Sequence, residues 1–385
     1  MSKIWPMVPL GEVLTERKET PSLSGLVNGT IKIVSKIGFN EGKIQLRNDG
    51  ETKTGMILIR PSDLVVSGIN AAKGAIAIYG EENTEPIAAT IHYGSYIPNK
   101  ERADIKFLWW LLRSHTFKDI LNEYVPGGIK TELKAKRLLP IPIPLPPLSE
   151  QQRIVARIEE LAAKIEKAKG LRQKAVEEAE ALRNSVRIEI FNEMPAKGVK
   201  VSRLDEVAPV NMGQSPQGHT YNNSGEGIPL LNGPTEFGSI NPTAIQWTTS
   251  PNKLCTKGDI LLCVRGATTG KMNWADREYC IGRGLAALTA KSDICLPEYV
   301  YHYVKTQVQQ MLALSAGSTF TNLPGAKLKS LGIPVPSLPE QRRIVAYLDD
   351  LQAKVDILKR LQAETQKELD ALLPSVLDKA FKGEL

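Results

Sequence analysis

Cysteine is scarce in this chain: four in 385 residues (Cys255, Cys263, Cys280, Cys295), and no two stand in a C-x-x-C pair. Zinc sites bring ligands in close pairs and disulfide scaffolds are short and cysteine-dense, so the four read as ordinary core or surface thiols. Histidine is as scarce. His92, His115, His219 and His302 are scattered and share no ligand spacing with a carboxylate, which predicts structural roles and no metal site. Apolar runs are short; the longest, such as 107–112, fall far below the ~20 residues that cross a bilayer. A charged region followed by an apolar one does not open the chain, which points to a cytoplasmic protein without a membrane partner.

Signatures of chemistry are missing too. Neither G-x-S-x-G, H-E-x-x-H nor G-x-G-x-x-G occurs. The run Gly266-Ala-Thr-Thr-Gly-Lys271 approaches a P-loop but is one residue short and is followed by Met272 instead of Ser or Thr. An amino-methylating enzyme would need an Asn/Asp-Pro-Pro-aromatic loop, and Asn241-Pro242-Thr243 does not supply one. No catalytic residue is expected.

What is present suits a soluble globular chain, with 42% hydrophobic and 24% charged residues. The length suggests two or three domains. The net charge of +7 concentrates in two stretches. Residues 1–148 carry 19 Lys and Arg against 15 Asp and Glu, and residues 193–339 carry 13 against 10. A mild basic excess there suits a polyanion.

The informative feature is a repeat. Leu145-Pro-Pro-Leu-Ser-Glu-Gln-Gln-Arg-Ile-Val-Ala156 returns as Val335-Pro-Ser-Leu-Pro-Glu-Gln-Arg-Arg-Ile-Val-Ala346, an offset of 190 that holds without a gap from Gly127/Gly317 to Phe191/Phe381. An ungapped match of this length marks an internal duplication. Each copy opens with alternating prolines, which hold the backbone extended. A helix start follows: Ser149 with Gln152, and Ser337 with Glu340, have capping-box spacing. Apolar residues then recur at coiled-coil spacing, from Ile154 through Ile158, Leu161, Ile165, Ala168, Ala175, Ala179 and Leu182 to Val186. In the second copy they run from Ile344 through Leu348, Leu351, Val355, Leu358, Leu369 and Leu372 to Val376. The seam weakens near Arg172 and Gln362, where Leu171 and Leu361 are placed to fill it, and Pro374 predicts a kink. Helices of about 37 residues would span about 55 Å. If the seams pair they run antiparallel, with a globular region at each end of a rod and an internal pseudo-two-fold.

The regions before each helix, 1–140 and 197–332, share an outline but little sequence. Strand-like runs at 31–34, 56–59, 64–66, 75–79, 228–231, 260–264 and 285–289 are broken by Gly, Pro and Asn. Helical patterns at 104–122 and 296–314 close each region ahead of a glycine loop. The reading is α+β: two mixed α/β domains at 1–146 and 195–336, separated by long helices at 147–194 and 337–385 that form an antiparallel coiled coil.

Pro144-x-Pro-Pro-Leu-Ser-Glu-Gln-Gln-Arg-Ile-Val and its echo at 334–345, each opening a long helix after a variable region of ~150 residues, resemble the specificity subunit of type I restriction-modification systems. The resemblance covers the whole chain in its order of variable region, helix, variable region, helix. It implies a non-catalytic subunit in which two target recognition domains read the halves of a split double-stranded DNA site. The helices would set the gap and dock two modification (methyltransferase) subunits. Those partners would carry S-adenosylmethionine and methylate adenine, and restriction subunits would add ATP- and Mg-dependent translocation and cleavage; this chain needs no cofactor of its own. Unlike modules imply an asymmetric target, with half-sites about one helical turn apart, ~34–36 Å.

Candidate readers follow from residue type and loop position. They are Lys36, Asn70, Lys73, Lys130 and Thr131 in the first module, and Gln214, Ser215, Arg265, Lys271, Arg283 and Thr321 in the second. Glu150, Gln151, Arg153, Glu340, Gln341 and Arg343 are candidates for helix-start geometry and partner docking. Two other readings stay open at this stage: a scaffold joining two protein-binding modules, and a methyltransferase or nuclease in its own right.

Overall fold

The computed structural model describes residues 5–39, 41–47, 55–125, 132–314 and 322–385; Lys130, Thr131 and Thr321 lie outside them. Packing divides the chain into two units. The first joins Met1–Arg172 to Gln362–Leu385, and the second is Gln173–Leu361.

Within the first unit, the apolar runs form two four-stranded sheets. One places 14–16, 93–98, 63–67 and 76–79 side by side, all antiparallel; the other orders 44–47, 33–37, 87–90 and 56–59. Asp63–Ser67 is buried along its whole length, as a central strand covered on both faces should be. Its alternate residues serve different cores: Leu64 and Val66 join the helices, while Val65 joins Val34, Ile59 and Ala77 between the sheets.

The second unit repeats the plan. Strands 210–212, 285–288, 260–263 and 272–274 form one antiparallel sheet, and a five-stranded sheet orders 221–222, 246–248, 228–231, 279–281 and 254–255. Ile260 and Leu262 face the helices, and Leu261 and Cys263 face the other sheet. A short pair ties each module's first strand to its proline run: Met7–Pro9 with Pro142–Pro144, and Val201–Arg203 with Gly332–Pro334.

The helical pattern at 104–122 resolves into two helices, Ile105–Leu112 and His115–Tyr124. Ser114 makes the break: its hydroxyl donates to the Leu111 carbonyl and accepts from the Phe117 amide, capping the second helix. The matching segment, Pro297–Leu314, is one helix.

The long helices are Leu148–Glu193 and Leu338–Phe381, of 46 and 44 residues, longer than the apolar pattern alone suggests. The second runs through Pro374. In each unit they pack antiparallel. In the first, Arg153 meets the Leu385 carbonyl, Lys169 meets Asp370 and Arg172 meets Thr365. In the second, Glu180 meets Lys359 and Arg183 meets Gln352.

Two details of the helix reading are corrected. Leu182 and Leu372, placed on the seam by heptad counting, are 65% and 45% exposed, and Leu171 and Leu361 are exposed as well. The inward face follows eleven-residue steps, 165–176–187 and 355–366–377, close to the 3.67 residues per turn of a nearly straight helix. It therefore drifts off the heptad positions onto Arg172, Arg183 and Arg187, and an Arg172–Thr365 hydrogen bond of 2.7 Å lies where leucines were expected.

The capping box read at Ser149 is corrected too. The first helix begins at Leu148, so Ser149 lies inside it, and the Gln151 amide donates to the Pro147 carbonyl.

Candidate nucleic-acid interface

Strand topology brings the reading candidates together. In the second unit's four-stranded sheet, 210–212 and 260–263 end where 285–288 and 272–274 begin. Gln214, Ser215, Arg265, Lys271 and Arg283 therefore lie on loops at one end of one sheet. Hydrogen bonds fix the loops to each other: the Gln214 amide donates to the Ile281 carbonyl, the Val264 amide to the Gly284 carbonyl, and the Arg283 amide to the Ser215 hydroxyl. Asn252 joins them by donating to the Ser215 carbonyl at 3.1 Å. Arg265 and Arg283 are exposed and have no carboxylate partner among the described residues. An edge with free guanidinium and amide groups can hold phosphates and pair with base edges.

The corresponding sheet end in the first unit carries Asn70 and Lys73, on the loop between 63–67 and 76–79. Asn70 organises that loop through its backbone, its carbonyl accepting from the Lys73 and Ala75 amides. Gly74 completes the turn at φ 87°, where a Cβ would lie 2.8 Å from the Phe39 carbonyl oxygen. Lys36 and Asn70 line one concavity of about 350 Å³ with Phe39, Gln45 and Tyr93, and the Lys73 ammonium lies 5.7 Å from the Phe39 ring. Lys36 sits on strand Ile33–Ile37 and not on a loop. All three described candidates of this module thus share one surface. Phe39, Gln45, Tyr93 and Asn252 share these surfaces without being among the candidates, because strand and loop positions of ordinary composition carry no reading signal.

The candidates at the helix starts separate. Gln151 and Gln341 are fully buried. The Gln151 side chain accepts from the Asp104 amide and donates to the Arg102 and Pro146 carbonyls; Gln341 accepts from Leu296 and donates to Ile294 and Pro336. Each bolts a long helix to the module before it, which is the helix-start role, and neither is exposed. Glu150–Arg153 and Glu340–Arg343 form ion pairs at the surface, and the Arg343 guanidinium holds the Glu340 carboxyl below the usual range.

The scarce residues take structural places. All four cysteines are buried and unpaired, and burial pushes the Cys255 and Cys295 thiols up to about 12. His92 contacts Glu132 and His302 contacts Asp349. Among the described residues no cluster of three or more metal-ligating side chains occurs, and no helix is long and apolar enough to cross a membrane. The loop 266–271 leads into strand Met272–Trp274, not into a helix, so it lacks the helix N-terminus that a P-loop uses.

Comparison with known proteins agrees with this architecture. The profile of the type I restriction modification DNA specificity domain matches twice, at residues 3–177 and 196–367. A protein of Methanocaldococcus jannaschii named as the type I restriction enzyme MjaX specificity subunit is 28% identical over 353 residues, covering 87% of this chain and 80% of its own. The HsdS subunit crystal structure from Thermoanaerobacter tengcongensis superposes with a TM-score of 0.65 at 33% identity, over 99% of this chain and 97% of that one. A chain from a study of the assembly and conformational transition of the type I R-M system superposes with a TM-score of 0.76 at 33% identity, over 99% and 98%. This chain belongs to the type I restriction modification DNA specificity family.

Proposed function

We propose that the chain is the non-catalytic DNA-reading subunit of a type I restriction-modification complex. Each unit reads one half of a bipartite duplex target with its sheet end, and the long helices dock two modification subunits and, through them, restriction subunits. S-adenosylmethionine, ATP and magnesium belong in this reading to those partners. The observation that carries it is the convergence of Gln214, Ser215, Arg265 and Arg283 on one sheet end, while Asn70 and Lys73 occupy the corresponding end of the other unit. Side chains differ at corresponding places, so the two half-sites differ and the target is asymmetric.

Mapping methylated adenine across the genome with and without this gene tests the proposal. The expected result is loss of one asymmetric bipartite motif. An unchanged methylation pattern in a strain with an active modification subunit would refute it.

A further inference from the structure

Beside the second unit's reading edge lies a pocket of about 360 Å³ whose lining includes Phe237, Lys271, Tyr301 and Lys305 and no carboxylate. Tyr301 is held by stacking on Trp274, ring centroids 5.2 Å apart. The Lys305 ammonium sits 5.4 Å from the Tyr301 ring and has no ion pair or hydrogen bond among the described residues. It is largely withdrawn from water, and burial is the main cause that lowers its pKa, followed by Arg187 and Arg183.

Those arginines deepen the excess of positive charge. Arg187 is 3% exposed, donates to the amide oxygens of Asn184 and Gln309, and keeps a buried Nε without a partner among the described residues. Arg183 likewise donates to Gln352 and Asn184. Carboxylates stand around the cluster but outside the pocket lining: Asp349 contacts His302, and Asp356 accepts from the Gln352 amide and partly opposes the lowering of Lys305. Buried charge without a counter-charge is costly, and the corresponding place in the first unit also holds a cation withdrawn from water: burial lowers the Arg113 guanidinium to about 10. There Trp109 donates to the Ile76 carbonyl, and the Arg113 guanidinium packs 4.2 Å over its ring and donates to the Phe39 carbonyl.

We infer that this pocket is a phosphate site, in which an oxyanion held by Lys271 and Lys305 supplies negative charge to a lining that has two ammonium groups and no carboxylate. The oxyanion comes either from the DNA backbone or from solution. Only the DNA source rests on the reading role proposed above. Its place beside the loops of Arg265 and Arg283 suits a contact that sets register and leaves base choice to those loops.

Two measurements test it. Thermal unfolding of the full chain is compared in sodium phosphate and sodium chloride at equal ionic strength and pH, for wild type, Lys305→Met and the exposed-site variant Lys271→Met. The expected result is a higher Tm in phosphate for wild type, with the difference abolished by Lys305→Met and reduced by Lys271→Met. The assembled complex is then titrated with target duplex over a range of salt. If the backbone occupies the pocket, the slope of log K against log salt falls by about one in either variant, with preference for target over scrambled duplex kept. A phosphate effect with an unchanged slope assigns the site to a free anion. A phosphate effect that survives Lys305→Met, or no phosphate effect in wild type together with an unchanged slope, overturns the inference. Should wild type show no sequence preference at all, the reading role fails while the phosphate measurement still reports on the pocket.

Discussion

The two units use one framework and fill it differently. Gln151 and Gln341 make the same three hydrogen bonds in each. Phe381 meets Phe107 edge-on at 5.5 Å where Phe191 meets Tyr299 at 5.5 Å. Around these fixed points the chemistry diverges. The first unit fills the space behind its sheet with Trp109 and Trp110 and closes its helix pair with Leu373 and Leu377; the second places Tyr301 and His302, and Arg183 and Arg187, at the matching positions. Backbone groups that must be satisfied on burial constrain the frame, whereas side chains at the pairing face need only fill space and neutralise charge. One plan can therefore carry leucines in one unit and arginines in the other at the same places.

The largest effect should come from forcing one unit's chemistry on the other. Leu377 is buried in an apolar cluster with Phe107 and Phe381, so Leu377→Arg should cost about 3–5 kcal/mol in urea denaturation, an unpaired buried charge with no amides to receive it. Arg187→Leu should be neutral or stabilising by about 1–4 kcal/mol, as for other buried charges replaced by apolar residues. Equal losses from both substitutions would mean that the units are less different than their side chains suggest.

Next comes the shared frame. Gln151→Leu and Gln341→Leu each strand three backbone groups, and each should cost about 2–4 kcal/mol given about 1–3 kcal/mol per buried group left unpaired. The two losses should be similar. A loss at only one position would break the equivalence on which the comparison stands.

Smaller and more selective effects are expected at the reading edges. Arg283→Ala should weaken binding to duplexes that keep the second unit's half-site, and Asn70→Ala to those that keep the first's, each by about 1–3 kcal/mol, or roughly ten- to a hundredfold. Binding of the assembled complex to duplexes with one half scrambled measures this. If both variants respond to the same half, the assignment of one half to each unit is wrong.

How much of this was legible in the sequence follows from the same physics. Strands 56–59, at a sheet edge, and 228–231, inside one, emerged with their observed limits because short apolar runs bounded by turn formers read as strands in either place. The duplication and both long helices were visible because apolar spacing survives where a helix face must be buried. The register of that face beyond the midpoint was not: counting by sevens follows leucines, and here arginines occupy the inward positions because Gln309, Gln352 and Asn184 receive them. Gln151 was noticed for its repetition, but its three partners lie some fifty residues back or in the proline run, and no local pattern encodes them. The reading candidates were chosen by type and loop position, and their convergence depended on strand order that only the fold supplies.

The smallest effect is a pH difference confined to the second unit. His302 is 9% exposed, its Nε2 lies 2.9 Å from Asp349 and its Nδ1 is buried without a partner among the described residues. Burial lowers its pKa, Asp349 opposes this, and Arg187 and Lys305 add to the lowering. The native state therefore favours the neutral ring, while the unfolded chain takes up a proton near pH 6.5. Stability from this residue is present above about pH 6.5 and is lost as pH falls toward the lower native value. The first unit has Trp110 at this place, which does not titrate. His302→Gln keeps a donor for Asp349 and removes the titration. Between pH 7.5 and 5.5 the urea midpoint of wild type should fall further than that of the variant. A variant that falls as steeply as wild type would place the pH dependence elsewhere, and a steeper fall in the variant would mean that Asp349, not burial, governs the ring.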